Sequence, residues 1–141
     1  MSDHATTIST AVQLLNSGDV DGYITTLYAP EAVFHGFPPA FAPDREGIAG
    51  FFRALRAGVP DATIAAEDLF TDDRNRAAVR FTLSGTHTGE LFGVPAAGAH
   101  IEAEGITILR FSGDRVVERW NRLDDIAFLT QIGAMPAAAE V

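Results

Sequence analysis

The strongest chemical signal in this chain is Trp120-Asn121-Arg122-Leu123-Asp124, where a strand pattern gives way to a helix pattern. An aspartate beside a large apolar ring is a candidate acid/base, because a dry environment lifts a carboxyl pKa toward working pH. Side chains alternate along an extended strand, so Trp120, Arg122 and Asp124 are expected on one face, that of a small-molecule pocket. Asn121 and Arg122 are candidate polar contacts there, with an ordinary ion pair as the equal expectation for Arg122. The same aspartate also has a structural reading, in which Asp124 or Asp125 caps the helix that follows.

The histidines come next. His35 follows Phe34 in a short strand, where it could hydrogen-bond a substrate carbonyl or shuttle a proton near neutral pH, or rest half-buried against the backbone. His87, in Gly85-Thr86-His87-Thr88-Gly89, is expected to make a structural hydrogen bond, and His100 to stand at a pocket rim. The four histidines lack the close spacing of metal ligands, so no metal is expected. Glu102, Glu104 and Arg110 share strand parity with Ile106 and Ile108 and are expected to face solvent. Phe51, Phe81 and Phe92 are expected to line the pocket, and the other aromatics to build the core. Tyr23 and Tyr28 are expected in the core with a wet edge.

These residues need elements to hold them. Ile8, Ala11, Val12 and Leu15 recur at helical spacing, and Asn16-Ser17-Gly18 supplies a stop. Val20, Tyr23, Ile24 and Leu27 give a second short helix, ended by Pro30, and residues 32–37 a short strand. A third helix follows Asp44 and buries Ile48, Phe51, Phe52 and Leu55. Strands are then expected over 63–71, 77–88, 101–111 and 115–123, with Ser112-Gly113-Asp114 as a tight hairpin. A last helix starts near Asp125, and residues 136–141 are expected to fray. Helices first and sequential strands later predict one α+β domain over residues 1–141: a curved antiparallel sheet wrapped around helices, with a concave pocket between.

Composition removes several chemistries. All 10 basic side chains are Arg and there is no Cys, so lysine Schiff bases, P-loops, thiol nucleophiles and disulfides are excluded. A formal charge of −9 with scattered arginines opposes nucleic-acid and membrane partners. No glycine pattern supports a dinucleotide cofactor. The beginning, Met1-Ser2-Asp3-His4, lacks the features of an export signal, and the chain is expected to be cytoplasmic.

Several stretches taken in order resemble one family: Gly85 to Glu90, Phe92-Gly93-Val94-Pro95-Ala96-Ala97-Gly98, Gly105 to Phe111, Val117-Glu118-Arg119-Trp120 with Asp124, and Gln131-Ile132-Gly133. Together they are similar to the SnoaL-like polyketide cyclase (ester cyclase) family, within the nuclear-transport-factor-2-like cone folds. The resemblance implies a cone-shaped α+β domain with a deep apolar cavity, no cofactor, and usually a homodimer or higher oligomer. It also implies that Asp124, the aspartate of a Trp-x-x-x-Asp pattern, is the acid/base of an intramolecular aldol closure. The chain departs from the family at Pro95-Ala96-Ala97-Gly98, where Pro-Pro-Thr-Gly is usual, and at Arg119, where His is common.

Three functions follow as expectations. The first is a cofactor-free enzyme acting on a polycyclic or aromatic carbonyl compound, with Asp124 and His35 catalytic. The second is an epoxide hydrolase or isomerase of the same fold, which as a hydrolase needs an Asp-Arg-Asp set. The third is a non-catalytic carrier of a hydrophobic small molecule.

Overall fold

Aspartate starts each helix of the computed structural model, which describes residues 3–135. Helix α1 (His4–Asn16) begins after Asp3, α2 (Val20–Leu27) after Asp19, α3 (Arg45–Gly58) after Asp44 and α4 (Asp125–Gln131) after Asp124. The four carboxylates accept from the backbone N–H of Ala5, Gly22, Gly47 and Ala127 at 3.3, 2.8, 2.8 and 3.1 Å. Each such cap contributes about 1 kcal/mol by pairing an N–H that the helix leaves free. No described helix is long and apolar enough to cross a membrane. The tail at 136–141, expected to fray, lies outside the described residues.

The strands are β1 (Tyr28–His35), β2 (Thr63–Thr71), β3 (Arg76–Thr86), β4 (His100–Ser112) and β5 (Arg115–Leu123), in a curved, unclosed sheet of order β1-β5-β4-β3-β2. Strands β2 to β5 pair antiparallel, while β1 joins β5 in parallel. Pro30 was expected to end α2. That helix stops at Leu27, and Pro30 lies within β1, whose register breaks between Tyr28 and Val33. An edge strand tolerates proline because one side of it needs no ladder donor.

Strand β4 alternates without a fault. Ile101, Ala103, Gly105, Thr107, Leu109 and Phe111 are buried, and the residues between them are exposed. The buried set meets Ala77, Val79, Phe81 and Leu83 of β3 and the buried faces of α1, α2 and α3. Gly105 lies opposite Phe81, and a Cβ there would stand 2.4 Å from the Phe81 ring. Glycine lets that ring lie flat on the sheet. The opposite, outer face carries a cross-strand row, Phe70–Ala78–Ile108–Trp120–His35, set by the register of all five strands. Phe70, Ile108 and nearby Ile106 and Val33 are exposed on it.

Candidate functional site

The concave side holds an apolar cavity of about 580 Å³. That volume is in the range that takes a multi-ring organic molecule. Phe37 and Phe41 enter from the loop after β1, Phe51 and Leu55 from α3, and Phe92 from the loop after β3. Leu83, Leu123, Phe128 and Leu129 complete the walls. The rings pack on one another: Phe51 stacks on Phe92 at 5.5 Å, and Phe41 meets Phe51 edge-on at 5.5 Å.

Two backbone features build the mouth. At Gly36 φ is +88°, and a Cβ there would lie 1.9 Å from the Asn121 carbonyl oxygen, so only glycine lets the 37–41 loop fold over β5. Across the mouth, Leu91 and Val94 exchange backbone hydrogen bonds at 2.9 and 2.8 Å around Phe92 and Gly93, both at positive φ. This is the tight turn of two left-handed residues, and it carries Phe92 at the cavity. A phenylalanine in that region costs about 1–2 kcal/mol.

Among the described residues, Asn121 and Asp125 are the only polar residues on these walls. Asn121 is buried and belongs to a polar cluster under the cavity. Arg119, 8% exposed, donates through Nη1 to the hydroxyls of Tyr23 (2.9 Å) and Tyr28 (2.5 Å). Through Nη2 it donates to Thr107 Oγ1 at 3.0 Å and Asn121 Oδ1 at 2.8 Å. The guanidinium also lies 5.1 Å from the centre of the Phe37 ring, a cavity wall. The Tyr23 phenol is held well above its usual pKa, mainly by burial, so it stays protonated at neutral pH. Tyr23 and Tyr28 thus serve the core and also hold a buried cation.

Of the expected pocket residues, Phe51, Phe92 and Asn121 line the cavity. Phe81 lies deeper, beside a small void of about 50 Å³ that Arg119 also borders. His100 is exposed at the start of β4. The expectation that Trp120 and Arg122 share the pocket face is corrected: the pleat of β5 turns Arg119, Asn121 and Leu123 inward and Trp120 and Arg122 outward. Trp120 stacks on His35 at 5.4 Å on the outer face, and His35 Nε2 bonds Glu118 at 2.8 Å. His35 is therefore on the far side of the sheet from the cavity. Its hydrogen bond, with that of Arg110, holds the Glu118 carboxyl below the usual range. Arg122 donates to the Asn121 carbonyl rather than to an acid. His87 is fully buried, and among the described residues neither ring nitrogen has a partner, so the expected structural hydrogen bond is not made by its ring. Glu102, Glu104 and Arg110 do face solvent.

The two aspartates at the junction divide their tasks. Asp124 is exposed, its Oδ1 caps α4, and its N–H donates to Glu104 at 2.8 Å. Asp125, the neighbour expected to cap if Asp124 did not, is exposed as well, but it is the one on the cavity wall. The missed wall residues Phe37 to Phe41 lie in a proline-rich loop, where no periodicity marks a facing side.

The family model for SnoaL-like polyketide cyclases matches residues 5–132. Among solved structures, IdmH of Streptomyces antibioticus, provisionally assigned as a polyketide cyclase, is 31% identical with a TM-score of 0.78, over 94% of this chain and 99% of that one. AclR of Streptomyces galilaeus, provisionally assigned as a hydroxylase, is 22% identical with a TM-score of 0.82, over 97% of this chain and 85% of that one. TsrD of Streptomyces laurentii is 24% identical with a TM-score of 0.80, over 96% and 100%. The last two likenesses concern the fold alone. Among curated proteins, none matches the chain.

Proposed function

The chain belongs to the SnoaL-like polyketide cyclase family, and from that premise we propose that it is an enzyme working by cofactor-free acid/base chemistry on an aromatic or polycyclic carbonyl compound. The observation that carries this reading is the cavity itself, walled by aromatic and aliphatic side chains, with one amide and one carboxylate as the only polar residues on it among those described. Aromatic walls take the flat rings and exclude water. A carboxylate then removes a proton from a carbon between two carbonyls, and the resulting carbanion, its charge on oxygen, attacks a second carbonyl of the same molecule. The same carboxyl returns its proton to the oxygen that was attacked. Isomerisation uses the same groups without the attack.

Asp125 is our choice for that carboxylate, since it borders the cavity. Asp124 is a second reading: the family pattern falls on it, and its cap uses one oxygen only. The hydrolase alternative has less support, because Arg110 pairs with Glu118 and Arg122 is exposed, so no Asp-Arg-Asp set faces the cavity among the described residues.

The test is exchange of the acidic C–H of a bicyclic aromatic β-keto ester in D₂O, followed by NMR. Asp125→Asn is expected to slow exchange by about 10²–10⁴-fold. Asp124→Asn should leave it unchanged, because asparagine caps as well as aspartate. The reverse result moves the role to Asp124. Exchange untouched by either substitution sinks the acid/base reading and leaves binding alone.

We also propose a homodimer formed by the outer sheet face. Its support is the cross-strand apolar row, flanked by Arg80, Arg110 and Glu104, groups that two copies can pair reciprocally. Ile108→Glu is expected to shift sedimentation from dimer to monomer. A wild type that sediments as a monomer refutes it.

A further inference from the structure

Beneath the cavity wall, behind Asn121, lies a positive charge that no carboxylate meets among the described residues. Arg119 makes four hydrogen bonds, all to neutral groups, and its Nε has no acceptor among the described residues. A guanidinium can only donate. The Asn121 atom that meets it must therefore be the carbonyl oxygen, and the Thr107 hydroxyl donates to that same oxygen at 2.7 Å. This fixes which way the amide points. Its NH₂ is left facing away from the cluster, on a side chain that is 7% exposed and lines the cavity, with no acceptor among the described residues.

The cluster also holds more protons than acceptors. One tyrosine hydroxyl donates to the other across 2.8 Å, and the second hydroxyl proton has no acceptor among the described residues. The amide oxygen, drawn on by a cation and a hydroxyl, leaves the NH₂ a stronger donor than a free amide. What the floor lacks is a negative oxygen.

We infer that the cavity floor is an oxyanion receptor: Asn121 donates its amide N–H to the oxygen of an enolate or phenolate, and Arg119 is the positioning residue that orients and polarises it. The ligand class this defines is an aromatic 1,3-dicarbonyl or an acidic phenol that binds as its anion. The inference rests on reading the cavity as the site for an aromatic carbonyl compound, but not on any turnover there.

The sign of one measurement decides it. A purely apolar cavity resists the anion and raises the pKa of a bound phenol, whereas donors aimed at the anion lower it. The probe is 7-hydroxycoumarin, whose phenol and phenolate absorb at different wavelengths, titrated with the full chain across a pH series. The bound probe is expected to ionise about one pH unit lower than the free probe, a roughly tenfold enrichment of phenolate. Asn121→Asp removes the NH₂ and gives Arg119 a carboxylate at the same place. It is expected to fold, with a Tm at or above wild type, and to lose that enrichment. Asp125→Asn should keep or enlarge the shift, since it removes a negative charge from the cavity wall. A bound pKa equal to or above the free value, the same shift in Asn121→Asp, or no binding of the probe overturns the inference. In the wild type, absence of enzyme-promoted C–H exchange with the shift intact faults the catalytic reading alone, and exchange intact without the shift faults the receptor alone.

Discussion

Arg119→Met separates what the buried cation does for the fold from what it does for the cavity. The guanidinium gives four hydrogen bonds, and because a charged group takes part their loss costs about 1.5–3 kcal/mol each, or about 6–12 kcal/mol in sum. None of the four partners is stranded, because Tyr23 stays bonded to Tyr28 and Thr107 to Asn121. Against the loss stands the desolvation of a cation without a carboxylate, worth several kcal/mol, and an Nε with no acceptor, worth about 1–3 kcal/mol. Methionine fills a similar length with apolar atoms. Toward the lower end of that range the two sides cancel to within a few kcal/mol, so the variant is expected to be about as stable as wild type. Urea denaturation followed by the fluorescence of Trp120, the single tryptophan, measures this directly. Binding of the phenolate probe should fall at the same time. A variant less stable by more than about 3 kcal/mol would make Arg119 a keystone of the core and refute the reasoning from uncompensated charge.

Other substitutions probe other parts. His87→Leu removes two buried ring nitrogens that lack partners and is expected to hold or raise stability, by up to about 3 kcal/mol in denaturant titration. Gly105→Ala forces a methyl against the Phe81 ring and should cost about 1–3 kcal/mol in the same assay. The carboxyls of Glu118, Asp61 and Asp72 are held below their usual range, chiefly by hydrogen bonds from His35, Thr86 and Arg74 respectively. A depressed carboxyl stabilises the fold above its unfolded pKa and loses that contribution as pH falls through its folded one. Stability is therefore expected to drop on acidification from about pH 5 downward, and Glu118→Gln should flatten that limb of a Tm-against-pH curve.

The caps and the hairpin were legible because they are local. Asp44 before a helical apolar stripe, and Ser112-Gly113-Asp114 between two strands, leave few alternatives. The face of β5 was misread because apolar parity and true parity disagree there. A large ring at Trp120 argues for the inside and a charge at Arg119 for the outside, and this sheet does the opposite. The observed register gives the answer, although a count back from the hairpin turn would pair Ile108 with Arg119, because the bulge shifts the pairing by one. The hairpin pairs Ile108 with Trp120, and Ile108 shares its face with Glu102, Glu104 and Arg110, expected in solvent from the start. Following that pairing puts Trp120 outside and Asn121 at the cavity. The irregularity between Arg110 and Phe111, opposite Val116 to Glu118, hides the reversal from any count along β5 alone. Cavity walls drawn from the 37–41 loop could not be read, since a loop has no period to betray its buried side.

Phe92 has a consequence for how this scaffold can change. Most positions that set the width of a binding cavity sit in well-packed elements, where trimming a side chain costs stability. Phe92 instead holds a left-handed turn position that asparagine or glycine occupies with less strain, and the residue is already 38% exposed. Phe92→Asn or Phe92→Gly would relax the backbone while opening the mouth. Descendants of this sequence can thus reach wider ligands through a single residue change at a site where relief of backbone strain offsets part of the packing lost against Phe41, Phe51 and Phe128.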